Sequence, residues 1–186
     1  MATYTAKAGQ HPFTPPVSFN VGRGWKRIGW KCQFHASCVY DHAGPDQDDW
    51  NKLAGVSFHL FDNHRNSVMF GWRWNETLKV FDLNTYAHIA GERFMGGPAL
   101  AVPPGNVFYV WLEIDYAAGY VRLSFQTGDF TRVEFVNFPE IPRWNREIGS
   151  WFGGNLPAPH EMKIEKTKVW AWEQRDGIHW PDKEVM

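Results

Sequence analysis

The stretch Val107-Phe108-Tyr109-Val110-Trp111-Leu112-Glu113-Ile114-Asp115-Tyr116 alternates between apolar and mixed positions along its length. Successive side chains of a strand point to opposite faces, so Phe108, Val110, Leu112 and Ile114 share one face and Tyr109, Trp111, Glu113 and Asp115 the other. The first set predicts a core face, and the second, aromatic and polar, predicts a wet or ligand-facing one. Tyr116-Ala117-Ala118-Gly119-Tyr120 reads as a hairpin turn into Val121, Leu123 and Phe125. Outward from this hairpin, residues 25–34, 55–61, 67–74, 77–86, 130–136 and 162–172 are short and rich in aromatic or β-branched side chains. Turn chemistry separates them: Asp62-Asn63, Gly96-Gly97-Pro98 and Pro103-Pro104-Gly105-Asn106. With 17 glycines and 12 prolines, few windows have room for a helix of ordinary length. The pattern predicts an all-β chain, a two-sheet sandwich or jelly roll, with the four apolar residues of 107–116, Val121, Leu123, Phe125 and Met162 in its core.

At 186 residues the chain is sized for one domain. The sandwich is expected over residues 20–172, between an extended arm at 1–19 carrying Pro12, Pro15 and Pro16 and a charged tail at 173–186. Nineteen basic against 20 acidic residues give a net charge of −1, which argues against a nucleic-acid partner. No window approaches the roughly 18 apolar residues of a membrane span, so no membrane partner is expected. The first residues lack a secretory signal, which predicts synthesis in a cytoplasm. Cys32 and Cys38 have no metal-binding spacing and read as free thiols. No metal and no cofactor is expected.

Three clusters could carry chemistry. His59, Asp62 and His64, at a strand end, could contact a ligand, or could cap a polar hairpin. Trp72-Arg73-Trp74 places two indoles on one strand face and a guanidinium on the other, a combination suited to an acidic glycan unless both indoles are core. Arg23, Lys26, Arg27 and Lys31 interleave with Trp25 and Trp30 like a strip for single-stranded nucleic acid, against the acidic balance of the whole. Glu113 and Asp115 form a same-face carboxylate pair of the kind that is more often solvated than catalytic.

Three further segments follow a familiar order: Asn51-Lys52-Leu53-Ala54-Gly55, then Asn66-Ser67-Val68-Met69-Phe70-Gly71-Trp72-Arg73-Trp74, then Ser150-Trp151-Phe152-Gly153-Gly154-Asn155 followed by Ala158-Pro159-His160. In this the chain resembles concanavalin-like jelly rolls, and more narrowly the polysaccharide lyases that cleave alginate and glucuronan, over residues 50–170. The resemblance implies Lys52 and Ser67 at motif positions. It puts Met69 where the catalytic arginine is expected, and the strand Leu78-Lys79-Val80-Phe81-Asp82-Leu83 has no tyrosine pair. Arg73 and Tyr86 could substitute only in a shifted register. Without an arginine to neutralise a uronate and a tyrosine to move its proton, β-elimination has no site. The expectation is a non-catalytic, lectin-like sandwich for surface recognition or assembly, such as a phage virion decoration or attachment protein, that binds a glycan or a protein surface, with a homo-oligomer as a further option. The alternative is a lyase acting on polyuronates through Lys52, Ser67, Arg73 and Tyr86.

Overall fold

A computed structural model describes residues 1–15, 21–23, 27–42, 44–142 and 144–169. Its strands are β1 (Ala2–Ala6), β2 (Val21–Arg23), β3 (Arg27–Phe34), β4 (Asn51–Ser57), β5 (Ser67–Asn75), β6 (Val80–Ile89), β7 (Glu92–Met95), β8 (Leu100–Val102), β9 (Val107–Asp115), β10 (Tyr120–Thr127), β11 (Phe130–Asn137), β12 (Trp144–Ile148) and β13 (Met162–Val169). They build two antiparallel sheets. One has six strands in the order β1-β13-β3-β9-β10-β11; the other has seven, β2-β12-β4-β5-β6-β7 with β8 also paired to β6. The chain is the two-sheet β-sandwich of jelly-roll type that its alternation predicts.

The layers meet on aromatic side chains. From the six-stranded sheet, Trp30 packs edge-on against Phe70 of the other sheet at 6.1 Å between ring centroids, Phe34 lies 4.8 Å from Trp72, and Phe125 lies 5.1 Å from Phe70. Every predicted core residue of the 107–125 hairpin is buried, as is Met162. The other face of β9 corrects its expectation in one place. Trp111 lies opposite Gly29 on one neighbour and Ser124 on the other, and is 1% exposed rather than wet. Glu113 and Asp115 are structural: Arg27 and Arg122 hold the first, and the second accepts from the amides of Ala117 and Ala118 in the hairpin turn.

Strand boundaries move where turns begin early. The strand expected at 55–61 runs from Asn51 to Ser57, because the Ser57 hydroxyl bonds the backbone of His59 and starts the turn. The one expected from Thr77 starts at Val80, after Lys79 takes a φ of 54° in the hairpin.

The first fifteen residues belong to the sandwich. β1 pairs with β13 in the register Ala2↔Lys166 to Ala6↔Met162, Thr5 and Thr14 exchange backbone hydrogen bonds, and Phe13 is buried in the core. Removing residues 1–19 therefore strips an edge strand and a core phenylalanine from the domain. The expected tail at 173–186, with the last strand's predicted end at 172, lies outside the described residues, as do Trp25 and Lys26 of the basic strip. Of the remaining strip, Trp30 is core, Arg27 is paired with Glu113, and Lys31 sits 5.8 Å above the Tyr109 ring.

Candidate functional site

β5 and β6 turn Val68, Phe70, Trp72, Trp74, Phe81, Leu83 and Ala87 into the sandwich. Alternation then places Met69, Gly71, Arg73, Asp82, Asn84, Tyr86 and His88 on the outer face of the seven-stranded sheet. The tryptophans of Trp72-Arg73-Trp74 are core residues, 0% and 4% exposed, so neither indole face can stack on a ligand. Arg73 is on the outer face but committed: it donates to Asp82 Oδ2 and Asp48 Oδ1, each at 3.1 Å, and lies 4.8 Å over the Trp50 ring. Trp50 can lie there because Gly71 has no side chain; a Cβ would come within 3.2 Å of Trp50 Cε3. Arg73 is thereby kept from supplying the cation that Met69 does not.

Next to Trp50 the same face deepens into a cleft of about 470 Å³. Its floor holds the apolar Met69 and Ile148, which cluster with Tyr86 and are packed by Trp50 and Met95. Its walls carry Lys52, His64, His88 and Arg146, with Trp151 at the rim. Lys52 Nζ donates to Trp50 O at 2.8 Å and stands 4.5 Å over the Tyr86 ring. Burial pulls the Lys52 ammonium below its ordinary pKa, with Asp49 opposing and Arg93 adding to the fall. His88 is 7% exposed and meets His64 edge to face at 4.7 Å; burial, then His64, Lys52 and Arg93, lower its pKa against the pull of Asp62. Its imidazole is thus biased toward the neutral form. Arg146 is fixed under the 59–66 turn by His59 O at 3.3 Å and by the Asn63 side chain.

Glu147, the carboxylate bordering the cleft, has its side chain 4% exposed and bound to Lys168 of the opposite sheet at 2.6 Å. The acidic charge is paired inward, while the lining also carries the Lys52 ammonium and the Arg146 guanidinium. Behind the floor, the buried Lys166 ammonium donates to Leu53 O at 3.0 Å and Ser150 Oγ at 2.9 Å, which ties β13 to β4 across the sandwich.

The structure divides the residues singled out from sequence. His64 lines the cleft. His59 and Asp62 serve the turn: His59 Nδ1 accepts from Asp62 N at 3.0 Å and Asp62 Oδ1 from His64 N at 2.8 Å, which is the capping reading of that hairpin. Lys52 and Tyr86 come together, with Met69 beside Tyr86 in register. Ser67 does not join them; it is fully buried and donates to Asn63 O at 2.5 Å. Sequence reasoning missed His88, Arg146 and Trp151 as site residues. His88 shares a face with Tyr86 by simple alternation and was legible. Arg146 sits on a five-residue strand with no apolar alternation, so nothing local marks it.

The rim depends on Gly153. Its amide donates to the buried Asn51 Oδ1 at 2.7 Å, and a Cβ there would fall 2.1 Å from Trp50 O. That contact is with backbone, which cannot swing away. Gly153→Ala is expected to cost stability at or above the upper end of about 1–3 kcal/mol for overpacking, read as a lowered urea midpoint; an unchanged midpoint would show that the loop yields freely.

No family model matches the sequence, and a search among curated proteins finds no relative. Solved structures with a similar course of the chain include the xylan β-1,4-xylosidase of Bacillus halodurans C-125, at a TM-score of 0.44 and 11% identity over 82% of this chain and 30% of that one. A heptameric SAP-like pentraxin of Limulus polyphemus gives 0.45 and 8% over 89% and 75%, and peanut lectin 0.40 and 10% over 91% and 100%. This chain therefore spans about a third of the xylosidase. The fold is read from the two sheets and their shared aromatic core, not from these likenesses.

Proposed function

We propose that this chain is a non-catalytic, lectin-like recognition protein that holds an acidic glycan in the cleft on its seven-stranded sheet. One observation carries the reading: Lys52, Arg146, His64 and His88 face the cleft, while its bordering carboxylate, Glu147, is neutralised inside the sandwich by Lys168. A partly desolvated cleft that carries the Lys52 ammonium and the Arg146 guanidinium, with imidazole N–H donors from His64 and His88, favours a polyanion over a neutral chain of the same shape. The apolar side chains of Met69 and Ile148 in the lining suit the C–H surfaces of pyranose rings.

Lys52→Met keeps most of the stem and removes the charge. It is expected to weaken binding of alginate or glucuronan oligomers about tenfold to a hundredfold, the range of a charge-assisted hydrogen bond. Titration calorimetry at two salt concentrations measures this, with a neutral glucan as control. Equal affinity for the neutral glucan, or no loss in the variant, would refute the assignment.

The closeness of Lys52 to Tyr86, 4.5 Å from Nζ to ring, keeps polyuronate lyase activity as the second reading. A lyase would release chain ends bearing a new double bond, detected by ultraviolet absorbance on incubation with either polymer. No turnover is expected, since Met69, paired with Tyr86 in register, stands where the resemblance to the lyases implies the arginine. Sustained turnover abolished by Lys52→Met would make the protein an enzyme.

A further inference from the structure

We propose that Trp151 is a stacking platform for one pyranose ring of the acidic glycan, an additional subsite at the cleft rim; this rests on the reading of the cleft given above.

Tryptophan is on average highly buried. Trp30, Trp72, Trp74 and Trp111 follow that rule at 4% exposure or less, whereas Trp151 is 47% exposed. The backbone that carries the indole is held on two sides, and its ring is stacked. Trp151 and Lys52 exchange backbone hydrogen bonds in both directions at 2.8 Å, and a β-bridge ties Trp151 to Pro12 on its other side. The His11 ring stacks on the indole with centroids 5.5 Å apart and planes 11° from parallel. His11 is itself fixed, since its Nδ1 donates to Phe152 O at 2.8 Å, and Phe152 N donates back to His11 O at 2.7 Å.

A flat aromatic surface is thus anchored by backbone on two sides and backed by a second ring. The electron-rich face of an indole attracts polarised C–H groups, and the C–H face of a sugar offers a matching apolar area. Because the indole is already ordered, stacking a ring on it costs little further conformational entropy. The occupant follows from the neighbour. One of the two residues bridged to Trp151 is Lys52, so a ring on the platform continues a chain whose carboxylates meet Lys52 and Arg146 in the cleft.

The test measures affinity for uronate oligomers of two to six residues by calorimetry, with the wild type, Trp151→Ala, Trp151→Phe and Lys52→Met. Denaturant midpoints confirm that each variant is folded. In Trp151→Ala the gain in affinity on lengthening the oligomer to reach the rim is expected to vanish, a loss of about tenfold or more for the longer ligands. Trp151→Phe should retain most of that gain. Acrylamide quenching of tryptophan fluorescence should fall on ligand addition in the wild type and stay unchanged in Trp151→Ala. A folded Trp151→Ala protein with wild-type affinity at every length would overturn the platform alone if Lys52→Met still weakens binding. A wild type that binds none of the oligomers would overturn both the platform and the glycan site.

Discussion

Trp72→Ala is expected to lower the unfolding free energy by about 3–5 kcal/mol, the cost of truncating a fully buried tryptophan. The Trp72 ring packs against rings from both sheets and from two connecting segments: Phe34 at 4.8 Å, Phe81 at 6.0 Å, Tyr40 at 6.3 Å and Phe152 at 6.5 Å. None of these rings can collapse into the gap without leaving its own strand or loop. Trp72→Phe should cost much less, because it keeps an aromatic ring and deletes an indole N–H buried without an acceptor. Urea unfolding of the three proteins decides the matter. A Trp72→Ala protein with an unchanged midpoint and lost glycan binding would return Trp72 to the ligand-facing role that its sequence neighbourhood suggests.

The second large effect is alkaline. Burial pushes both thiols, Cys32 and Cys38, from 9.0 up to about 12. A thiol whose folded-state pKa is raised contributes its full stability below pH 9 and loses it as the pH rises toward 12, because only the unfolded chain can release the proton. The slope is about 1.4 kcal/mol per pH unit for each thiol, or about 4 kcal/mol over the whole window. The buried Lys166 ammonium acts in the opposite sense. Burial lowers it from 10.5 to about 8, so between those values the unfolded chain binds more protons and stability rises with pH. Comparison with Cys38→Ala isolates one thiol, since the lysine contributes equally to both proteins. The stability advantage of the wild type over Cys38→Ala should shrink by about 1.4 kcal/mol per pH unit above pH 9. An advantage that stays constant from pH 8 to pH 11 would show that the Cys38 thiol ionises in the folded protein as it does in the unfolded one.

The chemistry of the cleft is distributed over distant segments in a way that explains its weak sequence signal. Lys52 comes from β4, His88 from β6, Arg146 from β12 and Trp151 from the loop before β13. They meet because β12 pairs with β4, β4 with β5 and β5 with β6, and because Trp151 bridges to Lys52. No spacing within a single segment encodes such a site. The densest polar cluster in the chain, His59 to Ser67, was the natural candidate for function, yet the side chains of His59, Asp62 and Ser67 are spent on the turn's own backbone.

By itself the sequence determined the class of the fold and the hairpin at its centre. The alternation of 107–116 and its mirror in 120–126 marks one set of side chains for burial, and the structure buries that set. It also determined that Trp72 and Trp74 oppose Arg73, since the pleat allows nothing else. Only the tertiary structure decided which of those faces looks inward, because a strand with an aromatic face and a polar face is compatible with a stacking surface or with a core until the second sheet arrives. The same holds for Trp111, on the outward face of β9 yet buried over Gly29 and Ser124, and for Glu147 and Lys166, charged side chains buried because the opposite sheet brings them partners. Alternation is a property of one strand, whereas burial depends on what covers it, and here the cover comes from residues up to a hundred or more positions away, as Lys166 and Leu53, 113 apart, illustrate.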